Sequence, residues 1–317
     1  MRASAYNSIV KRFYLDTNVY RSANEERHGL CARQLLAAHS RIRVPQPAAL
    51  ELIEDMCTCQ PEKFADRRED LRLAYRLADH GRLLRAPGEF MALRVFRTSF
   101  SNPIVTPAEV LRWMRVAIAY RAKEHFGEFI RVSEIDPRDW RLDPEKVAGP
   151  LREMRSRHIQ MIDSFRARLL GDVFGSTDKI SRDTQVDQAS AALIDKYYRS
   201  ETWKHTFMVI KARDVGASVT KKQALEWYPL LQAPAEFLGT ILNQALTQRY
   251  KYWRKGNDAI DYNLLVYLCD PNLVFVTDDQ KLRSKLRSPT SANRVISSEK
   301  LASELSGALP HTGAGSH

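Results

Sequence analysis

Cysteine is scarce in this sequence, which has only four among its 317 residues, at Cys31, Cys57, Cys59 and Cys269. Four cysteines are too few for a disulfide framework in a chain of this length. Cys57 and Cys59 are separated by one residue, a narrower gap than zinc knuckles use, and no second cysteine pair or nearby histidine completes a zinc site. We therefore expect reduced, buried thiols, as in a cytoplasmic protein.

Long apolar runs and several catalytic motifs are also lacking. No stretch reaches the roughly 18 apolar residues that a membrane helix needs, and Met1–Asn7 has no apolar region of the kind found in secretory signals. We find no Ser-His-Asp or Cys-His arrangement and no glycine-rich phosphate loop. These absences predict a cytoplasmic protein without a membrane partner, and they disfavour nucleophilic catalysis by serine or cysteine.

Positive charge, in contrast, is plentiful. The chain has 49 Lys and Arg against 38 Asp and Glu, a net charge of +11, which favours polyanionic partners such as nucleic acid. One segment, Gln248–Lys255, mixes four cations with three aromatic residues. Cations neutralise phosphates and aromatic rings stack on bases, so we predict nucleic-acid binding by Arg249, Lys251, Trp253, Arg254 and Lys255. The alternative is a helix end whose aromatic rings pack inward.

The pattern of apolar residues divides the chain into three parts. Residues 1–60 and 235–317 alternate between short apolar strands and helices, which is typical of a parallel sheet covered by helices. Residues 61–234 are predicted to be helical; for example, Thr106–Glu109 is a capping box that opens a helix running to about His125. We therefore predict an α/β fold, in which the two halves of one parallel-sheet domain are separated by a large all-helical insertion.

Four acidic residues lie where these strands end or helices begin. Asp16 ends the predicted strand at residues 13–16, and Glu51 lies on the helix after the strand at residues 42–44. Asp261 lies on a helix for which Asn257 is the predicted N-cap, and Asp279 follows the apolar run Leu273–Val276. Carboxylates gathered at strand ends form an oxygen-ligand site for Mg²⁺ or Mn²⁺. A metal site on a basic protein points to phosphodiester chemistry.

These motifs together resemble the PIN-domain nucleases. The resemblance rests on Asp16-Thr17-Asn18, on Glu51 after Val44-Pro45, on the helix carrying Asp261, on Thr277-Asp278-Asp279 and on the final Val295–Leu301. It covers about sixty residues at each end of the chain. It implies a parallel α/β sheet and a metal-dependent hydrolase, most often an endoribonuclease, in a family that includes the toxins of toxin–antitoxin modules. The departure from the family pattern is the long segment between Glu51 and Asp261.

The resemblance also implies roles for individual residues. Asp16, Glu51, Asp261 and Asp279 become the catalytic metal ligands, with Asp258 and Asp278 as further candidates. Thr17, Asn18 and Thr277 are candidates for orienting the ligands, although turn, capping or strand-end roles are equally compatible with their positions. Asp258 could instead stabilise the helix dipole. We interpret three other charged residues, Glu54, Asp55 and Arg155, as parts of solvated helix faces.

The functional prediction is a Mg²⁺- or Mn²⁺-dependent endonuclease acting on RNA, with a toxin or host-defence role. One alternative is a catalytically inactive PIN-like module that binds nucleic acid or protein. The other is a nuclease specific for DNA structures, whose arch the helical insertion would supply. An inhibitory protein partner and a homo-oligomer are both left open by the sequence.

Overall fold

The computed structural model describes residues 11–79, 81–100, 104–132, 139–175 and 185–306. These residues fold mostly as helices around one small parallel sheet, which is compatible with the predicted α/β class. Within them no helix combines the length and the apolar composition that crossing a bilayer requires. All four cysteines are free; Cys269 is buried, whereas the other three are partly exposed, so the predicted burial holds for Cys269 alone.

The described ranges contain a five-stranded parallel sheet and a separate antiparallel strand pair. The strands are β1 (Arg12–Leu15), β2 (Ile42–Pro45), β3 (Leu83–Leu84), β4 (Ile130–Arg131), β5 (Asp139–Trp140), β6 (Leu273–Val276) and β7 (Val295–Ile296). The large sheet has the order β3-β2-β1-β6-β7, and β4 pairs with β5. The edge strand β3 of the five-stranded sheet comes from residues 61–234, the segment predicted to be an all-helical insertion.

Strand β1 lies at the centre of the sheet and joins the two ends of the chain. It pairs in parallel with β2 on one side and with β6 on the other, where Arg12 lies opposite Leu273. The Tyr14 ring stacks on Phe275 with 4.9 Å between ring centroids, and its hydroxyl donates a hydrogen bond to the Leu264 carbonyl at 2.9 Å. All four residues of β6 are buried, as its continuous apolar run predicts.

Fifteen α-helices surround the sheet in the described part of the chain. They are α1 (Thr17–Asn24), α2 (Ala32–Ala37), α3 (Gln46–Thr58), α4 (Phe64–Ala78), α5 (Pro87–Met91), α6 (Pro107–Ala119), α7 (Pro144–Phe174), α8 (Gln188–Tyr198), α9 (Glu201–Asp214), α10 (Lys221–Trp227), α11 (Gln232–Thr247), α12 (Gly256–Val266), α13 (Gln280–Ser284), α14 (Pro289–Ala292) and α15 (Ser298–Ser306). The long helix α7 packs against both α3 and α12, so the middle of the chain contacts the helices that carry Glu51 and Asp261.

Two predicted helix boundaries can be compared with the structure. The capping box at α6 is confirmed, because the Thr106 hydroxyl accepts from the Glu109 amide at 3.2 Å while the Thr106 amide donates to the Glu109 carboxylate. The helix ends at Ala119 rather than near His125, however. Asn257 as the N-cap of α12 is wrong: the cap is Lys255, and the helix begins at Gly256. A Cβ at Gly256 would lie 3.1 Å from Nε of Arg155 on α7, so close packing, rather than a capping side chain, accompanies this helix start.

Candidate functional site

Asp16 lies at the carboxyl end of the central strand, where ligands of open parallel sheets gather. It is the residue after β1 and caps α1, with one carboxylate oxygen accepting from the Thr17 amide at 2.7 Å. Its other oxygen accepts from the Thr277 hydroxyl at 2.7 Å. Asp16 is only 6% exposed. Burial raises the pKa of its carboxyl group above the usual value, while these hydrogen bonds lower it.

Glu51 is joined to Asp16 through Thr17. The Thr17 hydroxyl donates to the Glu51 carboxylate at 2.9 Å, while the Thr17 amide contacts Asp16. Burial, followed by the charge of Asp16, raises the pKa of Glu51 to about 7. Two acids that are far apart in sequence therefore share one bridging residue, and the charge of Asp16 resists ionisation of Glu51.

Asp279 reaches the same end of the sheet from β6. Its amide donates to the Thr277 hydroxyl at 3.1 Å, and Thr277 in turn donates to Asp16. Thr277 is fully buried. One oxygen of Asp279 caps α13 by accepting from the amides of Lys281 and Leu282. The charge of Asp279 contributes to the raised pKa of Asp16, and both residues form hydrogen bonds with the Thr277 hydroxyl.

Asp261 is the acid with the fewest partners. It is partly buried on α12, and no residue in the described ranges donates a hydrogen bond to its carboxylate. Burial raises the pKa of Asp261 well above its usual value, and the charges of Asp16, Asp279 and Asp258 raise it further, while that of Lys285 lowers it. The structure thus brings together the four predicted acids, which we call the acidic site: Asp16, Glu51, Asp261 and Asp279.

Asp258 and Asp278, the two further candidates, are occupied by other partners. Asp258 forms an ion pair with Lys285 at 3.0 Å and accepts from the Tyr250 hydroxyl. Asp278 accepts from the amide of Ser298 at 2.9 Å and from its hydroxyl at 2.8 Å, so it ties β6 to α15. The Asp278 amide also approaches the side-chain oxygen of Asn18 at 3.5 Å.

The basic segment Gln248–Lys255 divides into exposed cations and aromatic rings that face the protein. Its cations are all exposed, namely Arg249, Lys251, Arg254 and Lys255. Tyr252 is 1% exposed and donates to Asp163, and the ring of Trp253, which is partly exposed, packs edge-on against Tyr252. Inward packing therefore describes Tyr252, while the cations remain available to a polyanion from the solvent.

A further ion pair beside the acidic site was not predicted from the sequence. Arg155 on α7 donates to both carboxylate oxygens of Glu54 on α3, at 3.0 and 2.8 Å. The two side chains are 29% and 19% exposed, so both are more buried than solvated helix faces would be. Asp55 likewise forms an ion pair with Arg21. No local pattern reveals the Arg155–Glu54 pair, because its members are 101 residues apart.

The acidic site has the ligand atoms of a divalent-cation site, but its carboxylates are not arranged around one point. The side-chain atoms that could bind a metal are all oxygens, as Mg²⁺ and Mn²⁺ prefer, and a cation would relieve the repulsion between the carboxylates. Over the described ranges, however, no three His, Cys, Asp or Glu side chains converge closely enough to hold a metal ion as they stand. Binding would require these carboxylates to turn toward the ion. Asp261, which lacks a hydrogen-bond donor, is the one least hindered by existing bonds.

Comparisons of this chain with family models, with curated proteins and with solved structures find no match.

Proposed function

We propose that this chain is a Mg²⁺- or Mn²⁺-dependent nuclease with a PIN-like core, and that it cleaves RNA. The observation that carries the proposal is the hydrogen-bonded row Thr277–Asp16–Thr17–Glu51, which crosses the carboxyl end of the central strands. Asp261 approaches this row closely enough for the Asp16 charge to raise its pKa. Four carboxylates kept together at such a cost in repulsion suggest a function that needs a cation.

The residues of the acidic site would have different tasks. Asp16, Glu51, Asp261 and Asp279 would hold the ion, which when bound supplies a water of lowered pKa and stabilises charge on a phosphate. The hydroxyls of Thr17 and Thr277 fix the orientation of Asp16 and Glu51. Because the pKa of Glu51 is raised to about 7 in the metal-free protein, cation binding near neutral pH would release a proton.

The exposed cations of the basic segment support a nucleic-acid substrate. Lys255 is the residue directly before α12, and Asp261 lies on that helix about 1.7 turns further on. A strand whose phosphates contact Arg254 and Lys255 would therefore pass near the acidic site. The chain's net charge of +11 would add attraction of longer range. The preference for RNA over DNA follows from the family resemblance.

Cleavage assays on the purified full chain test this proposal. Labelled single-stranded RNA and DNA would be incubated with Mn²⁺ or with excess EDTA, using wild type, Asp261→Asn and the control Asp66→Asn. Asp66 is an exposed acid on α4 outside the acidic site. We expect Asp261→Asn to lower RNA cleavage by about 100-fold or more, since loss of even a supporting residue at a metal site costs 10–100-fold. The control should retain wild-type activity.

The same assays have outcomes that would refute the proposal. Undiminished cleavage in EDTA would exclude the metal, and full activity of Asp261→Asn would exclude the acidic site. Preferential cleavage of DNA over RNA would support a DNA nuclease instead. Circular dichroism melting of each variant shows whether a loss of activity reflects unfolding.

An inactive PIN-like binding module is the second candidate. It is favoured by the bonds of Asp279, whose carboxylate already caps α13 through two backbone amides. The double substitution Lys251→Gln and Arg254→Gln separates binding from cleavage. We expect it to weaken RNA binding and to reduce the slope of log affinity against log salt by about 1–2, as loss of two phosphate contacts requires. Binding with this dependence but without cleavage would support the inactive module.

A further inference from the structure

A cavity of about 490 Å³ lies between α3, α7, α9 and α12. Residues of its lining include Gln46 and Leu50 of α3, His158 of α7 and Tyr262 of α12. Glu51 and Asp261, although next in sequence to Leu50 and Tyr262, do not line it. The cavity therefore uses different faces of the helices that carry the acidic site.

The walls of this cavity are largely apolar and adaptable. Met91, Met154 and Met161 line it together with Phe100 and Val266. Methionine side chains adjust to the shape of a ligand and contact aromatic rings favourably. The volume falls in the range of about 300–1,000 Å³ that small-molecule sites in proteins occupy.

Three buried polar side chains of the lining, Gln46, His158 and Tyr262, have atoms without a hydrogen-bond partner among the described residues. Gln46 is 1% exposed; its amide nitrogen donates to the Val105 carbonyl at 2.8 Å, but its side-chain oxygen has no hydrogen-bond partner in the described structure. His158 is 4% exposed, and neither of its ring nitrogens has a partner among the described residues. A buried polar group left unpaired destabilises the folded state, so these groups require a bound partner.

The hydrogen-bonding capacities of Gln46 and His158 define the partner, because the Tyr262 hydroxyl can either donate or accept. Burial, with the nearby charges of Lys211 and Lys285, lowers the pKa of His158 to about 3, so its neutral ring offers one donor and one acceptor. The free oxygen of Gln46 is an acceptor only. An ionised carboxylate or a phosphodiester group, which supplies acceptors alone, could satisfy neither the Gln46 oxygen nor the acceptor nitrogen of His158.

The charge of the cavity also disfavours an anion. The lining has two cations, Lys211 and Arg157, and each is paired with a carboxylate, Lys211 with Asp214 and Arg157 with Glu153. The Tyr262 ring lies 5.3 Å from the His158 ring, centroid to centroid, and adds a flat aromatic surface. The suitable ligand is therefore uncharged at this end, planar, and equipped with donors and acceptors along one edge.

We propose that this cavity binds a nucleobase, with the base edge against Gln46 and His158 and its faces against the methionine side chains and Tyr262. A free nucleoside fits the volume, and a single unstacked nucleotide of an RNA strand presents the same base. The inference does not depend on cleavage, because it uses none of the residues of the acidic site.

Calorimetric titration of the full chain in EDTA with adenosine, guanosine, cytidine and uridine tests this inference. We expect at least one nucleoside to bind with a dissociation constant below about 1 mM. His158→Leu removes both unpartnered nitrogens, so it should weaken that binding at least tenfold while the melting temperature stays the same or rises. Tyr198→Phe, which removes a buried hydroxyl that also lacks a partner but lies outside this cavity, is the matched control and should keep wild-type affinity.

Several results would overturn the inference. The first is that no nucleoside binds at about 5 mM, which would leave water as the occupant of the cavity. The second is that His158→Leu binds the nucleoside with unchanged affinity. The third is that inorganic phosphate binds with the same dependence on His158. If His158→Leu does not fold, Met154→Phe, which narrows the cavity, replaces it with the same expectation. If the chain cleaves RNA but binds no nucleoside, the proposed function stands and this inference fails. If the chain binds a nucleoside but does not cleave RNA, this inference stands and the proposed function fails.

Discussion

Replacement of Glu51 by glutamine should make the metal-free protein more stable at alkaline pH. The pKa of Glu51 is raised from 4.5 to about 7 by burial and by the charge of Asp16. Between these values the folded chain binds more protons than the unfolded chain does. The free energy of unfolding contributed by Glu51 is therefore full below pH 4.5, falls as the pH rises toward 7, and stays low above it.

The size of the effect follows from the same two pKa values. Their difference, 7 minus 4.5, corresponds to about 3.4 kcal/mol at 1.36 kcal/mol per pH unit, of which about 2.5 kcal/mol is lost between pH 5 and pH 8. Because Glu51 is partly exposed, solvent screening reduces this figure, and we expect about 1–2.5 kcal/mol. A glutamine at this position keeps an oxygen for the Thr17 hydroxyl, so the bridge to Asp16 can persist.

Urea denaturation of wild type and Glu51→Gln in EDTA, at pH 5 and at pH 8, measures this quantity. The difference between the two proteins should grow in favour of the variant by about 1–2.5 kcal/mol from pH 5 to pH 8. Any effect of the new amide group is independent of pH and cancels in this comparison. An equal difference at both pH values would refute the idea that Glu51 is held with a raised pKa. Added Mn²⁺ should stabilise wild type more than the variant.

Two other substitutions test contacts around the acidic site. Arg155→Gln leaves the partly buried Glu54 without its partner, so it should lower the free energy of unfolding by about 1–3 kcal/mol in urea denaturation. The control Arg157→Gln, at an exposed position on the same helix, should lower it by less than about 1 kcal/mol. Equal losses in the two variants would contradict the role of burial. Thr277→Val keeps the shape of the side chain but removes the hydroxyl that donates to Asp16. It should lower the free energy of unfolding by about 1–3 kcal/mol and weaken Mn²⁺ binding measured by calorimetry. If both values stay unchanged, the role of this hydroxyl is contradicted.

The parts of the fold that local patterns specify could be predicted from the sequence. The apolar run Leu273–Val276 became β6 with the predicted bounds, and the capping box at Thr106 opened a helix. β3 has only two residues, too few for a periodic pattern, and its place in the sheet depends on pairing with β2. The start of α12 depends on a contact with Arg155 from a distant helix, which no neighbouring residue signals.

The candidate site shows the same division between local and distant information. Asp16 and Asp279 could be located because each follows a strand, and both cap the next helix. Asp258 and Asp278 have the same local setting as the predicted ligands, yet each is bound by a partner from another element, Lys285 or Ser298. Sequence order reveals which acids come near the sheet edge, but the partners that neutralise some of them lie too far along the chain to be inferred.

The central position of β1 has a consequence for the time at which the acidic site comes into being. Asp16 and Thr277 are 261 residues apart, and their hydrogen bond needs β6 to be seated beside β1. While a ribosome is still making the residues between them, the nascent chain has Asp16 but neither Thr277 nor Asp279. Closing so long a loop is also slow compared with forming the helices. Chains that stop before β6 therefore lack the acidic site, and whatever reaction it performs must wait until β6 has been made and paired with β1.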